Sequence, residues 1–180
     1  MSKVELIRAE SYRAVPWKNG GGMTREIAAA DGWRLSIATI ERDGPFSDFT
    51  GYDRTIVAIE GNGIELRIDG EIAVLDRLYV PFRFRGEART ECRLIDGPVR
   101  DFNVMTQREH WGHEVTVHEL ASEAAHVEVG PIAFVHVLRG RWAVDAGDTM
   151  RVNQTERLAL EPVKGAATLC VVSLRPASAT

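Results

Sequence analysis

Short apolar or alternating segments, separated by glycine and proline, recur along nearly the whole chain, a pattern of strands and turns rather than of long helices. Trp33-Arg34-Leu35-Ser36-Ile37 alternates with period two, which sets Trp33, Leu35 and Ile37 on one strand face and Arg34 and Ser36 on the other. Ile56 to Glu60 and Ile64 to Ile68 flank Gly61-Asn62-Gly63, a spacer that accepts positive φ, and together they predict a hairpin. Further strands are predicted over Ile132 to Leu138, Arg141 to Ala146, Arg157 to Glu161 and Thr168 to Leu174, with glycine-containing breaks between them. Only Glu119 to Ala125, polar and alanine-rich, predicts a turn of helix. The expected class is all-β.

The two halves of the chain read alike. Ile56 to Gly61, the Ile64 to Ile68 segment, Leu78 and Pro81 are echoed about 80 residues later by Phe134 to Gly140, Arg141 to Val144, Leu158 and Pro162. A unit of strand, tight turn, strand, loop and strand that occurs twice suits the double-stranded β-helix, the jelly-roll barrel used by cupins. The expected architecture is a bicupin: two jelly-roll barrels packed in one compact chain, the first over residues 1–109 and the second, degenerate, over 110–180.

Composition narrows the partners. The 22 Lys and Arg residues against 26 Asp and Glu leave a net charge of −4, interspersed along the chain, so no basic surface for nucleic acid is expected. No apolar run approaches the roughly 20 residues that span a bilayer, and Glu5 stands where a secretory signal would need apolar residues. Two cysteines, Cys92 and Cys170, are too few for a disulfide framework, so the cytoplasm is the expected compartment. Jelly rolls associate through edge strands, which leaves a homodimer open.

Three stretches carry residue types that folding alone rarely requires. In Pro16-Trp17-Lys18-Asn19-Gly20-Gly21-Gly22-Met23-Thr24-Arg25-Glu26, the glycines are expected where the chain comes close to another backbone or a ligand; no Lys-Ser or Lys-Thr follows them, so no phosphate loop is implied. In Asp43-Gly44-Pro45-Phe46-Ser47-Asp48-Phe49-Thr50-Gly51-Tyr52-Asp53-Arg54, turn residues open and close a loop and leave Arg54 at a strand mouth, ready to fork onto a carboxylate or to pair with Asp53 or Glu26. In Asp96 to Thr106, Asp101 and Asn103 share a strand face opposite Phe102 and Val104, and Asp101 either meets a ligand or holds an arginine such as Arg54 or Arg25.

Other chemistries lack residues. Metal-dependent cupins need two histidines one residue apart, an acid and a later histidine. Residues 1–109 contain no histidine, and His136 is followed at i+2 by Leu138, so no metal and no cofactor are expected and His136 reads as a core residue. His110, His113 and His118 read as a solvated connector. Ser47 lacks a nucleophile-elbow context, and both cysteines sit in strand-like surroundings as inert thiols.

The three stretches together, with Trp33 to Ala38 between them, resemble the HutD/Ves family in order and spacing. That resemblance implies an RmlC-like bicupin without the metal motif. It implies a link to histidine utilisation in the HutD branch, through sensing of an intermediate such as N-formylglutamate, or to stress response in the Ves branch. It also carries over the pocket candidates Trp17, Asn19, Arg25, Glu26, Phe46, Ser47, Asp53, Arg54, Asp101 and Asn103, and leaves the role of Arg108 undefined. The expected activity is binding of a small anionic metabolite: Arg54 or Arg25 on a carboxylate, Asn19 or Asn103 on a carbonyl, Trp17 and Phe46 over the apolar stem. The rival is a metal-independent cupin enzyme, an isomerase, epimerase or lyase, with Glu26, Asp53 or Asp101 as general base.

Overall fold

A computed structural model describes residues 3–17, 21–121, 124–153, 156–161 and 165–177, and among these the chain is all-β, with seventeen strands and one 3-10 turn at Ala9–Ser11. It divides into two compact units, Arg13–His110 and Met1–Tyr12 with Trp111–Thr180. The first twelve residues, expected with the first barrel, therefore belong to the unit that holds the C-terminal strands. Their strand β1 (Lys3–Ile7) lies antiparallel to Thr149–Asn153.

The central unit carries β2 (Arg13–Pro16), β3 (Gly22–Ala30), β4 (Trp33–Ile40), β5 (Gly44–Pro45), β6 (Tyr52–Glu60), β7 (Ile64–Ile68), β8 (Glu71–Leu75), β9 (Pro81–Arg85), β10 (Thr90–Leu94) and β11 (Val99–Gln107). They form an antiparallel six-stranded sheet, β2-β3-β4-β11-β6-β9, and a four-stranded one, β5-β10-β7-β8. Ile64, Leu66, Leu75 and Cys92 from the smaller sheet pack with Ile40, Ile56, Phe84 and Val99 from the larger, so the two sheets share an apolar interior. Burial of side chains of this size contributes about 1.5–3 kcal/mol each.

The expected hairpin is corrected here. Gly61 (φ 98°) and Gly63 (φ 100°) do make the turn, but β6 and β7 do not pair: β6 lies between β11 and β9, β7 between β10 and β8. The turn carries the chain from one sheet to the other. A Cβ on Gly61 would lie 2.5 Å from the Pro98 carbonyl oxygen and one on Gly63 2.4 Å from that of Leu75, so both glycines are set by backbone approach as well as by φ.

The other unit adds β12 (Trp111–Leu120), β13 (Ala125–Glu128), β14 (Ile132–Arg139), β15 (Thr149–Asn153), β16 (Arg157–Leu160) and β17 (Ala167–Pro176). Its five-stranded sheet runs β1-β15-β14-β17-β12, beside a two-stranded β13-β16 ribbon, over a core that includes Leu120, Val135, Val137, Leu160, Leu169 and Val171. No helical turn forms at Glu119 or Leu120, because β12 pairs residue for residue with β17 as far as Leu120 opposite Ala167, and that ladder outweighs local propensity. Ala125 already opens β13. The strand expected over Arg141 to Ala146 is instead a tight loop closed by an isolated bridge from Arg141 to Asp145. His113 and His118 lie within β12 rather than on a solvated connector, and His113 is buried.

Candidate functional site

The polar part of the central interior is set by strand alternation. On β4, Trp33, Leu35 and Ile37 face one way, while Arg34, Ser36, Ala38 and Ile40 face a cavity of about 780 Å3. On β11, Asp101, Asn103 and Met105 line the same cavity, and register carries the face across the sheet: Glu26 opposite Ser36, Ser36 opposite Asn103, and Arg34 opposite Met105 opposite Arg54. Both faces of β4 and β11 are largely buried, so these polar side chains occupy positions that an apolar sandwich would give to Val or Ile.

The loop between β5 and β6 supplies the aromatic wall. Phe46 N donates to Thr90 O (2.9 Å), and Phe49 N to Gly86 O (2.9 Å). These anchors hold Phe46 and Phe49, with Phe84 of β9, around the Arg54 guanidinium, whose central carbon lies 5.1, 5.4 and 4.9 Å from the three ring centroids. Across the cavity Trp17 lies beside Gly22, where a Cβ would come within 2.2 Å of the Thr39 carbonyl oxygen. The close backbone approach expected of the glycine run is thus realised at Gly22. Trp17 Nε1 donates to Thr24 Oγ1 at 2.8 Å, which fixes the indole at the edge of the site.

Arg54 is 8% exposed and Asp101 1% exposed. They do not pair directly: Arg54 Nη2 donates to Asn103 Oδ1 at 3.3 Å, and Asn103 Nδ2 donates to Asp101 Oδ2. Arg54 Nε and Asp101 Oδ1 are buried without a hydrogen-bond partner. Burial draws the Arg54 guanidinium down to about 10, opposed by the charge of Asp101 and reinforced by that of Arg34. Burial lifts the Asp101 carboxyl to about 7, against the Asn103 hydrogen bond and the Arg54 charge.

Of the residues expected at the site, Trp17, Glu26, Phe46, Ser47, Arg54, Asp101 and Asn103 line this cavity. Two others do not. Arg25 lies opposite Ile37, on the other face of the sheet from Thr24 and Glu26. Asp53 points away from Arg54's face and is bound by Arg83 Nη2 (2.6 Å) and Arg108 Nη1 (2.9 Å). Burial alone would raise its carboxyl, but those hydrogen bonds and charges hold it below the ordinary value. Arg108 also donates to the Tyr52 carbonyl oxygen and to Glu87 Oε1, so its role is to pin the start of β6. Asn19 lies outside the described residues. Glu26 is in an ion pair with Arg13 at 3.0 Å rather than with Arg54.

Arg34, Ser36, Phe49 and Met105 line the cavity without having been expected there. Their signal was available: period-two alternation forbids neighbours such as Arg25 and Glu26, or Asp53 and Arg54, from facing one site, and it places Arg34 and Ser36 together. Among the described residues no group of three His, Cys, Asp or Glu side chains gathers as a metal site. Cys92 and Cys170 are buried thiols that burial pushes up to about 12, so neither is a nucleophile at neutral pH.

The HutD family profile matches residues 9–173. The chain belongs to the HutD family. It is 44% identical over 112 residues to an uncharacterized 21.2 kDa protein of the hutC 3' region of Pseudomonas putida, an alignment that covers 58% of this chain and 59% of that relative, so the match spans about three fifths of its length. Protein Ves of Cronobacter sakazakii is 31% identical over 72% of this chain and 73% of its own. Among solved structures, HutD from Pseudomonas fluorescens SBW25, in a formate condition, is 32% identical with TM-score 0.78, and a conserved protein of unknown function from Pseudomonas aeruginosa PAO1 is 30% identical with TM-score 0.86; each comparison covers 97% of this chain and 99% of the other. A cupin 2 conserved barrel domain protein from Leptotrichia buccalis, at 11% identity and TM-score 0.60 over 88% of this chain and 91% of its own, places the fold with the cupins.

Proposed function

We propose that the cavity of the central unit binds a small anionic metabolite, with Arg54 as the principal anion-binding group, and that binding rather than turnover is the activity. One observation carries this reading: the Arg54 guanidinium is buried, has a single neutral hydrogen-bond partner in Asn103, and leaves Nε unpaired. A buried cation in that state has ring faces around it but no carboxylate bound directly to it, and an incoming carboxylate supplies the charge-assisted hydrogen bonds it lacks. Phe46 and Trp17 cover the apolar part of such a ligand, and Ser47 stands at the exposed mouth. The volume suits a metabolite of modest size. Membership of the HutD family and the hutC-region relative favour an intermediate of histidine degradation, such as N-formylglutamate, and a sensing role in histidine utilisation, with stress response as the Ves-like counterpart. We read the two units as the two jelly-roll barrels of a cytoplasmic bicupin, the binding site lying in the first.

Calorimetric titration of N-formylglutamate, glutamate and urocanate into wild type and Arg54→Ala tests the reading. Wild type is expected to bind at least one of them, and Arg54→Ala to bind it at least about tenfold more weakly, the scale of a lost charged hydrogen bond. Negligible heats for wild type with all three, or equal affinities in the two proteins, would contradict it.

One observation favours catalysis as a second reading. Asp101 is a cavity carboxyl lifted to about 7, the range a general base requires, whereas Glu26 is held by Arg13 and Asp53 lies on the other face. Under that reading Asp101→Asn retains ligand and abolishes turnover on a metabolite panel; a wild type with no turnover of any bound compound excludes it for that panel.

A further inference from the structure

The four-stranded sheet β5-β10-β7-β8 ends in β8 (Glu71–Leu75), and among the described residues no strand pairs with its outer edge. The other edges of the central unit are guarded: β5 holds Pro45, β2 holds Pro16, and β9 opens on Pro81 and carries exposed Arg83 and Arg85. β8 has no proline, and its single charged residue, Glu71, sits at the turn end. Its outward side chains are the β-branched Ile72 and Val74, 53% and 55% exposed, while Ala73 and Leu75 pack on the apolar interior. The hairpin to β7 fixes which backbone groups are open. A two-residue turn, Asp69-Gly70, with both residues at positive φ (49° and 96°), closes on the pair Ile68 and Glu71. Pairs then alternate along the ladder: Glu71, Ala73 and Leu75 exchange hydrogen bonds with β7, whereas Ile72 and Val74 turn their N–H and C=O groups to the open edge.

We infer that β8 is a self-pairing edge, and that its partner is β8 of a second copy of this chain, antiparallel about a two-fold axis at Ala73. In that register Ile72 faces the partner's Val74 and Val74 faces the partner's Ile72. Each such pair exchanges both of its backbone hydrogen bonds, so the groups that the hairpin leaves open are used. Ala73 meets the partner's Ala73 on the axis, at the closer Cα spacing of about 4.5 Å that a non-hydrogen-bonded pair has and a small side chain permits. The exposed β-branched side chains of the two copies then cover one another on the outer face of a single continuous sheet. Charge selects the same register. On β7, Arg67 lies opposite Ile72 and Glu65 opposite Val74. Each rung across the axis therefore reads Arg67, Ile72, the partner's Val74 and the partner's Glu65, with opposite charges flanking an apolar pair. A slip that set Ile72 against the partner's Ile72 would turn Arg67 toward the partner's Arg67, and one that set Val74 against the partner's Val74 would do the same with Glu65.

One short strand per copy makes a small interface, so a reversible dimer with a dissociation constant of about 1–100 μM is expected. Sedimentation equilibrium of the full chain, at concentrations that bracket this range, is expected to take wild type from monomer to dimer. Val74→Lys keeps a favourable neighbour in Glu65 of its own sheet but brings an ammonium toward the partner's Arg67, and is expected to stay monomeric with a wild-type-like thermal transition. A mixture of Ile72→Cys and Val74→Cys proteins is expected to cross-link under mild oxidation at least about tenfold faster than either protein alone, because facing Cα atoms about 5.5 Å apart suit a disulfide and diagonal ones do not. The native Cys92 and Cys170 are buried and take no part. A wild type that stays monomeric throughout overturns self-pairing. A dimer that persists in Val74→Lys puts the contact on another surface and overturns β8. Cross-linking of either cysteine protein alone as fast as the mixture overturns the axis at Ala73, and this comparison decides the matter should Val74→Lys lose its thermal transition.

Discussion

In the unit formed by residues 1–12 and 111–180, buried polar groups close on one another; in the central unit they stop short. His136, 1% exposed, has Nδ1 2.9 Å from Thr149 Oγ1, which lies 2.7 Å from the Tyr12 hydroxyl, and Asp148 accepts from Arg8 Nη1 at 2.9 Å and Ala9 N at 2.8 Å. In the central unit Arg54 and Asp101 communicate only through Asn103, each with a buried atom unpartnered. The Thr168 hydroxyl of the first-described unit is also unpaired, but it is neutral, and its desolvation costs far less than that of a charge. Two antiparallel β interiors thus serve different ends. One is completed by its own side chains; the other leaves buried atoms of Arg54 and Asp101 without a hydrogen-bond partner.

The largest expected effect lies in the apolar core of the unit formed by residues 1–12 and 111–180. Leu169, fully buried among Leu160, Val135 and Val171, is expected to cost about 2–5 kcal/mol on truncation to Ala, measured by urea unfolding. A loss below about 1 kcal/mol would show that this interior is not the packed one. Arg54→Met is expected to behave in the opposite way, raising stability by about 1–2 kcal/mol while abolishing anion binding, because an apolar side chain of similar length removes a buried cation that has no carboxylate bound directly to it and meets Phe46, Phe49 and Phe84. A marked destabilisation would mean that Arg54 is already well compensated. At the smallest end, Tyr12→Phe removes the hydroxyl that meets Thr149 and Gly147 O, and is expected to cost about 1 kcal/mol with no effect on ligand.

Asp101 makes the stability of the central unit depend on pH. Its folded-state carboxyl is raised from 3.8 to about 7, so the folded protein binds a proton that the unfolded chain has lost between those values. Stability from this group therefore falls as pH rises from near 3.8 to about 7, and is level above that; Asp101→Asn is expected to flatten this part of the profile in chemical unfolding from pH 4 to 8. An anion seated on Arg54 offsets the guanidinium charge that favours the ionised carboxyl, so ligand binding takes up a proton and weakens as pH rises through about 7. Identical profiles for wild type and Asp101→Asn would place the carboxyl elsewhere in its titration range.

Much of this was legible in the chain because strands impose a period of two. The face split of residues 33–37, the shared face of Asp101 and Asn103, and the close approach at Gly22 all follow from alternation and the absence of a Cβ. The errors came where tertiary pairing decides. Gly61-Asn62-Gly63 looks the same whether its strands pair or part, and only the partners β11 and β10 settle the matter. The alanines near residue 120 favour helix until β17 is beside them. At the site, the family resemblance carries Arg25 and Asp53 along with Glu26 and Arg54, and alternation sends these two to the other face. Alternation puts Arg34 on the correct side of its strand, but nothing local reveals that this side faces a cavity rather than bulk solvent.

The central claim is that the Arg54 guanidinium is a buried cation completed by an added anion. The measurement closest to it is the arginine Nε–Hε resonance of Arg54 in 15N-labelled protein, assigned by its absence in Arg54→Met, during titration with whichever of N-formylglutamate, glutamate and urocanate binds most tightly. A saturable shift of that signal is predicted, with a midpoint matching the calorimetric affinity, while the exposed Arg83 signal stays in place. A resonance that stays in place while the ligand saturates the protein would contradict it.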